Sequence, residues 1–270
     1  MESHNTKRYS LPTEEEYEEF NQVQSRHYVL RYTWQANFSA PVHEKLLSGV
    51  KVLDIACGPG YWILDMASKY PKSEFTGVDK ISFFPSELKP PNANFEKGDA
   101  FCLPYEEGTF DFIRMSLMSS IFSAEDWKNT ILPDVLRMLK PGGYFESQEF
   151  DWNMINLGPC FGKLTNGFIQ YLEINNIDKF ICSNMEKYLR ETNFIEINSI
   201  DVECRFWDGR YGRLVLDDFI LSYKRIMLNF CNIIGIDEDQ CFNLLSNLEE
   251  EVIDYKSSYK LYRFFGRKSF

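Results

Sequence analysis

No apolar run among these 270 residues approaches the ~18 needed to cross a bilayer, so a membrane-spanning helix is not expected. Positive charge is scarce: 29 Lys and Arg stand against 40 Asp and Glu, a net charge of −11. A surface of that sign repels polyanions, and no basic cluster compensates for it. The densest basic stretch, Arg263 to Lys268, is interleaved with Phe264, Phe265 and Gly266 and reads as the solvated end of a terminal strand. DNA and structured RNA are poor partners for such a chain. The seven cysteines form no C-x-x-C pair and are irregularly spaced, as expected for reduced thiols. With three histidines besides, no metal site is expected. Met1 to Arg8 carries no apolar stretch behind its basic residues, which argues for a cytoplasmic or nuclear chain over a secreted one.

What is present is ordinary globular material, 44% apolar and 26% charged, long enough for one large domain or one domain with an appendage. The most informative segment is Val52-Leu53-Asp54-Ile55-Ala56-Cys57-Gly58-Pro59-Gly60. A short apolar strand ends near an acid, turns through glycines, and a helical pattern begins at Tyr61. Glycine lets a ligand approach the backbone closely, and the helix start favours polar ligand groups.

Two further acids follow. Phe75 to Asp79 reads as a second strand ending in a carboxylate, placed to accept from a ribose diol. Phe95 to Ala100 puts Asp99 after a third strand, where it could accept from an adenine amine. A dinucleotide fingerprint would need a third glycine where Ile63 stands, which argues against a nicotinamide oxidoreductase.

This turn resembles motif I of class I S-adenosylmethionine (SAM)-dependent methyltransferases, Asp/Glu-x-Gly-x-Gly-x-Gly, with Ala56 in place of the first glycine. That replacement is expected to be tolerated through a negative φ at Ala56. Phe110 to Ile113 and Leu139 to Phe145 supply the fourth and fifth strands in family order. The resemblance covers roughly residues 20–155. It includes a lead-in, Arg26 to Tyr32 and Asn37 to Pro41, similar to that of fungal methyltransferases related to secondary-metabolism regulators and tailoring enzymes.

The fold class implied is α/β: a doubly wound, mostly parallel seven-stranded sheet with an antiparallel last strand. The expected organisation is a disordered tail (1–12), a helical lead-in acting as a lid (13–45), the SAM-binding core (46–155) and a C-terminal part with a helical substrate cap (156–270). Thr13 and Glu16 suggest a capping box for a helix running to about Phe38, whose aromatic residues include Tyr17, Phe20, Tyr28, Tyr32 and Trp34. Pro90-Pro91 should keep the β2–β3 connection irregular, and Glu125 to Leu139 reads as a helix that Pro133 restricts. Gly209 and Gly212 read as a turn, followed by two helices and a last strand near 260–265.

The resemblance implies SAM as cofactor. Its methionyl end is expected along the amides of Ala56, Gly58 and Gly60, with Asp54 orienting that loop or reaching the ammonium. Asp79 would hold the ribose, Asp99 and Ala100 the adenine edge, and Lys80 and Ile81 the adenine faces; Met115 and its strand-four neighbours would flank the amino-acid end, and Tyr28 would close from the lid. Cys57 reads as a small space-filler. No general base is obligatory in this chemistry, and the catalytic candidates stay open among Glu149, Asp151, His27 and Tyr28. The expected acceptor is a small apolar or aromatic metabolite. A regulatory, non-catalytic SAM-binding role through a protein partner, or a homodimer, remains the alternative.

Overall fold

The computed structural model describes residues 14–85 and 88–270, and only the backbone of residues 14–20 and of residue 228. The tail, the Thr13 cap and the side chains of Tyr17 and Phe20 therefore lie outside the described residues. Helix α1 spans Glu14–Trp34 and α2 His43–Ser48; β1 (Lys51–Ile55), α3 (Tyr61–Lys69), β2 (Glu74–Asp79), β3 (Ala93–Lys97) and β4 (Phe110–Ser116) follow. The helical pattern after Glu125 is a composite: α4 (Ala124–Asp126), a π-helical stretch Trp127–Ile131, and α5 (Leu132–Met138). Pro133 sits in the first turn of α5, where its missing N–H costs least. The described residues between β2 and β3 form no helix, as the Pro90-Pro91 pair suggested.

After β5 (Leu139–Phe150) come α6 (Pro159–Ile174), α7 (Ile181–Glu191) and β6 (Ile195–Arg205). Three helices, α8 (Gly209–Cys231), α9 (Glu238–Ser246) and α10 (Leu248–Asp254), separate β6 from β7 (Ser258–Arg267). Gly209 and Gly212 belong to the first turn of α8 and form no separate turn. Gly212 is required there by close approach, since a Cβ would lie 2.5 Å from the Phe206 carbonyl oxygen.

The seven strands form one sheet in the order β3-β2-β1-β4-β5-β7-β6. β1 to β5 pair in parallel, whereas β7 runs antiparallel to both β5 and β6. Strand order reverses between β1 and β4, so the crevice at their C-terminal ends is the switch point where ligands of such sheets bind. Alternation along β1 and β4 sends Val52 and Phe112 to one face, under α2 and α3, and Leu53, Ile55, Ile113 and Met115 to the other, under α4, α5 and α7. A separate core joins α6, α8, α9 and α10 to the far ends of the last strands.

Two expectations fail here. Arg263 is 3% exposed, far from a solvated strand end. It donates to Gln148, Ser39 and the Ala36 carbonyl and lies 4.5 Å from the Trp34 ring centre, so it clamps the lead-in onto the sheet. Glu146 completes the clamp by accepting from the Ser39 and Ala40 amides at 2.7 and 2.6 Å. The second failure concerns the thiols: Cys231 and Cys241 are joined in a disulfide that ties α8 to α9 within the helical core, and the other five cysteines are free.

Candidate functional site: two joined cavities at the switch point

The turn after β1 is tighter than expected. Ala56 has φ +58°, so the methyl-bearing residue adopts the left-handed region instead of a negative φ. Gly58 (φ +54°) and Gly60 (φ +82°) follow. A Cβ on Gly58 would meet nothing within 4 Å, whereas one on Gly60 would strike the Phe95 ring at 2.2 Å. Gly58 thus leaves open space for a ligand, and Gly60 exists to let α3 pack against β3.

Three amides of this turn are already engaged. Gly58 N–H donates to Asp79 Oδ2 at 2.8 Å, Gly60 N–H to the Cys57 carbonyl and Cys57 N–H to the Val78 carbonyl. A ligand here meets the Cα face of Gly58, not an amide cradle at Gly58 and Gly60. Asp79 also accepts from the Ile81 amide at 2.9 Å, which fixes its carboxylate at the end of β2 and leaves lone pairs on both oxygens. Burial raises the Cys57 thiol pKa, which keeps the thiol protonated and suits a space-filler.

Beside the turn, Arg114 donates to Asp54 Oδ1 at 2.9 Å, both side chains being buried. The guanidinium lies 4.7 Å from the Trp62 ring centre. Asp54 Oδ2 has no partner. Burial raises the Asp54 pKa, and the Arg114 charge opposes that rise.

These groups line a cavity of about 270 Å³. Its walls are Asp54, Ala56, Cys57, Gly58, Pro59, Tyr61 and Trp62 on one side, Asp79, Ile81 and Phe83 beyond, Arg114 and Ser116 from β4, and Leu117 and Met118 just after it. Helix α1 covers it with Val23, Arg26, His27 and Leu30. That spacing is one helical face, and it is not the aromatic one: Tyr28 and Tyr32 are 55% and 63% exposed, and Trp34 packs on Arg263. Tyr28 therefore closes nothing in this structure. Met115, odd in the β4 alternation, points into the opposite core while Arg114 and Ser116 face the cavity. Lys80 and Asp99 pair at 3.1 Å outside the cavity wall, where the Phe101 amide and then Lys80 hold the Asp99 carboxyl below its ordinary pKa; Ala100 packs on the core beyond.

The catalytic candidates separate. His27 lines the cavity, and burial lowers its pKa to about 4 against the pull of Asp65, so its ring is neutral at pH 7. Glu149 is fully buried, accepts from Ser147 Oγ at 2.5 Å and faces neither cavity; burial raises its pKa to about 7. The Ser147 hydroxyl and the nearby Ser119 and Met118 amides oppose that rise, and Glu149 Oε2 has no hydrogen-bond partner. Asp151 accepts from the Asn153 amide at 3.0 Å and likewise lies outside both walls. Only His27 of the four is at the site.

A second cavity of about 270 Å³ adjoins the first and shares Arg26, Leu30 and Leu117 with it. Its apolar wall includes Phe150, Trp152, Phe168, Phe219 and Ile226, and a polar rim comes from Gln22, Arg26, Ser119, Asp218 and Ser222. Arg26 Nε donates to both Asp218 oxygens at 3.1 and 3.0 Å, and its Nη2 to Ser222 Oγ at 2.6 Å. On the other side of α1, Arg31 pairs with Asp65 of α3 at 2.9 Å. Arg26 and Asp218 were not recognisable from sequence as a pair, because 192 residues separate them.

Residues 52–143 match the model of a methyltransferase domain family, and this segment contains both the turn and the sheet switch point. The chain carries a class I SAM-dependent methyltransferase domain. It is 30% identical over 151 residues to a secondary metabolism regulator laeA of Coprinopsis cinerea, covering 54% of this chain and 36% of that protein. It is 26% identical over 174 residues to a demethylmenaquinone methyltransferase of Lactococcus lactis, covering 56% and 68%. The match thus spans little more than a third of the fungal regulator's length. Among solved structures, phosphoethanolamine N-methyltransferase 2 of Haemonchus contortus, in complex with SAM, superposes with a TM-score of 0.53 at 17% identity, over 92% of this chain and 57% of that one. That likeness bears on the fold alone. SAM is the cofactor of this domain family, and the first cavity suits it: Asp54 Oδ2 is a buried acceptor without a partner, Asp79 keeps free lone pairs, and Gly58 leaves its Cβ position open. Among the described residues no helix is long and apolar enough to cross a membrane, and no cluster could hold a metal ion.

Proposed function

We propose that this domain transfers a methyl group from SAM to a small apolar or aromatic metabolite. The observation that carries the reading is the meeting of two cavities at Arg26, Leu30 and Leu117, one bearing the acids and glycine turn of the cofactor motif and the other walled by aromatic rings. When bound, SAM supplies an already activated methyl group, so the protein's task is to position the acceptor and exclude water. Asp79 would take the ribose hydroxyls, Ile81 and Phe83 would flank the base, and Asp54 Oδ2 would accept from the ammonium. Arg114 orients Asp54 and opposes the rise that burial imposes on its pKa. Neutral His27 and Leu30 of α1 form the roof, with α1 acting as a lid pinned to Asp65 on one side and Asp218 on the other.

Incubation of the full chain with methyl-labelled SAM and a small-molecule extract tests this: label should move into low-molecular-weight products, with S-adenosylhomocysteine (SAH) released. Absence of both products, in protein shown to bind SAM, would favour the regulatory reading instead. That second reading has support in the fungal relative's description as a secondary metabolism regulator.

A further inference from the structure

The proposed function leaves the acceptor's chemistry open, and the second cavity narrows it. Resting on that reading, we propose that this cavity binds a neutral, planar aromatic molecule of one or two rings, and that Asp218 receives a hydrogen bond from its hydroxyl or ring N–H.

The walls select the ring. Phe150 and Trp152, 4.4 Å apart by ring centres, come from the exit of β5, and Phe219 comes from α8. Leu30 and Leu117 close the side toward the first cavity. Flat apolar surface of this kind favours a planar apolar ligand, and about 270 Å³ limits it to a small one.

The rim selects the polar group. Asp218 is the one acid among the residues lining this cavity. A single N–H of Arg26 is shared between its two oxygens, and the side chain of Gln22 stands at 3.4 Å, so a carboxylate with about four acceptor positions keeps capacity for another donor. Its side chain is 19% exposed and can be reached. The neighbouring Ser222 hydroxyl is committed: it donates to the Asp218 carbonyl at 2.7 Å and accepts from Arg26 and Gln22. Arg26 and Arg225 also line the cavity, so a cationic ligand is repelled, and an anionic one meets Asp218. A neutral donor satisfies the carboxylate without either conflict.

Position adds a consequence. Asp218 is held by Arg26, which lines both cavities, so a donor bound there is presented at the passage between them. The atom nearest the cofactor cavity is then an oxygen or nitrogen, which points to O- or N-methylation over C-methylation.

The test is binding to the full chain in saturating SAH, followed by tryptophan quenching, with 2-naphthol and 2-methoxynaphthalene as probes. Wild type should prefer 2-naphthol by about tenfold or more, the worth of a hydrogen bond to a charged acceptor. Asp218→Ala should remove that preference while 2-methoxynaphthalene affinity stays within threefold. Ile226→Trp, which fills the cavity, should abolish binding of both probes and leave SAH binding intact. Equal affinity of the two probes for wild type, or no binding of either while SAH binds, overturns this proposal and leaves the cofactor reading standing. Failure of SAH itself to bind overturns the function proposed above.

Discussion

Arg114 and Asp54 form a buried ion pair at 2.9 Å in which only one carboxylate oxygen is used. The pair joins β4 to β1 across the sheet register, since Asp54 stands opposite Arg114. Stacking on Trp62 fixes the guanidinium plane, so the free Asp54 oxygen keeps its place at the cavity. Its geometry makes Arg114 a support for the cofactor site as well as for the fold.

Removing Arg114 should therefore be costly. Arg114→Met leaves a carboxyl buried without its partner, and breaking such a pair costs about 3–5 kcal/mol. The loss should shrink at acid pH, where Asp54 can take up a proton. Urea unfolding at pH 7.5 and pH 5 measures both; a loss below about 1 kcal/mol at pH 7.5 would mean the pair is effectively solvated.

Two buried groups should give opposing pH dependences. His27 has its pKa lowered to about 4, so between pH 6.5 and 4 the unfolded chain binds the extra proton and stability falls with acidification. Glu149 has its pKa raised to about 7, so between pH 4.5 and 7 the folded chain binds the extra proton and stability falls as pH rises. Each effect is on the order of 3 kcal/mol, and in wild type they largely cancel. In Glu149→Gln, stability should rise from pH 4 to 6.5; in His27→Gln it should fall from pH 4.5 to 7. Parallel pH profiles for both variants and wild type, by chemical denaturation, would remove this account.

Ala56 carries strain that a glycine would relieve. At φ +58° an alanine costs ~1–2 kcal/mol, offset in part by the lower entropy of its unfolded chain. Ala56→Gly should stabilise the protein by roughly 0.5–1 kcal/mol. An unchanged or lowered unfolding midpoint would show that the methyl group packs favourably enough to compensate.

How far the sequence carries can be followed residue by residue. The strand–turn–helix at Val52 to Tyr61 was legible because its signals are local: a short apolar run, an acid near its end, and two glycines just before a helical pattern. Asp79 was legible for the same reason, and it does stand at the cavity. Gly60 was legible as a necessity but not in its cause, because Phe95, which forbids a side chain there, lies a strand away. The inner face of α1 is not its aromatic one: Tyr28 and Tyr32 are exposed, and the i, i+3, i+4, i+7 series Val23, Arg26, His27, Leu30 lines the cavity. Arg263 and Asp218 were not legible, since each takes its role from a partner over a hundred residues distant.

Helix α1 joins the two halves of the site through polar pins at Asp65 and Asp218. Opening it breaks partly exposed ion pairs, which are individually weak. Amide exchange over residues 21–34 should slow on addition of SAH by more than exchange in β6 and β7. Equal protection with and without SAH would make α1 a fixed part of the core.

The most direct measurement is a calorimetric titration of the full chain with SAH, beside Asp79→Ala. Under the proposed function, the cavity beneath α1 holds the cofactor through Asp79. Wild type should bind with micromolar-scale affinity, and the variant should lose about 1.5–3 kcal/mol, roughly tenfold to a hundredfold, while remaining folded. Absence of heat from wild type shown to be free of bound cofactor, or equal affinity in a folded Asp79→Ala, would contradict it.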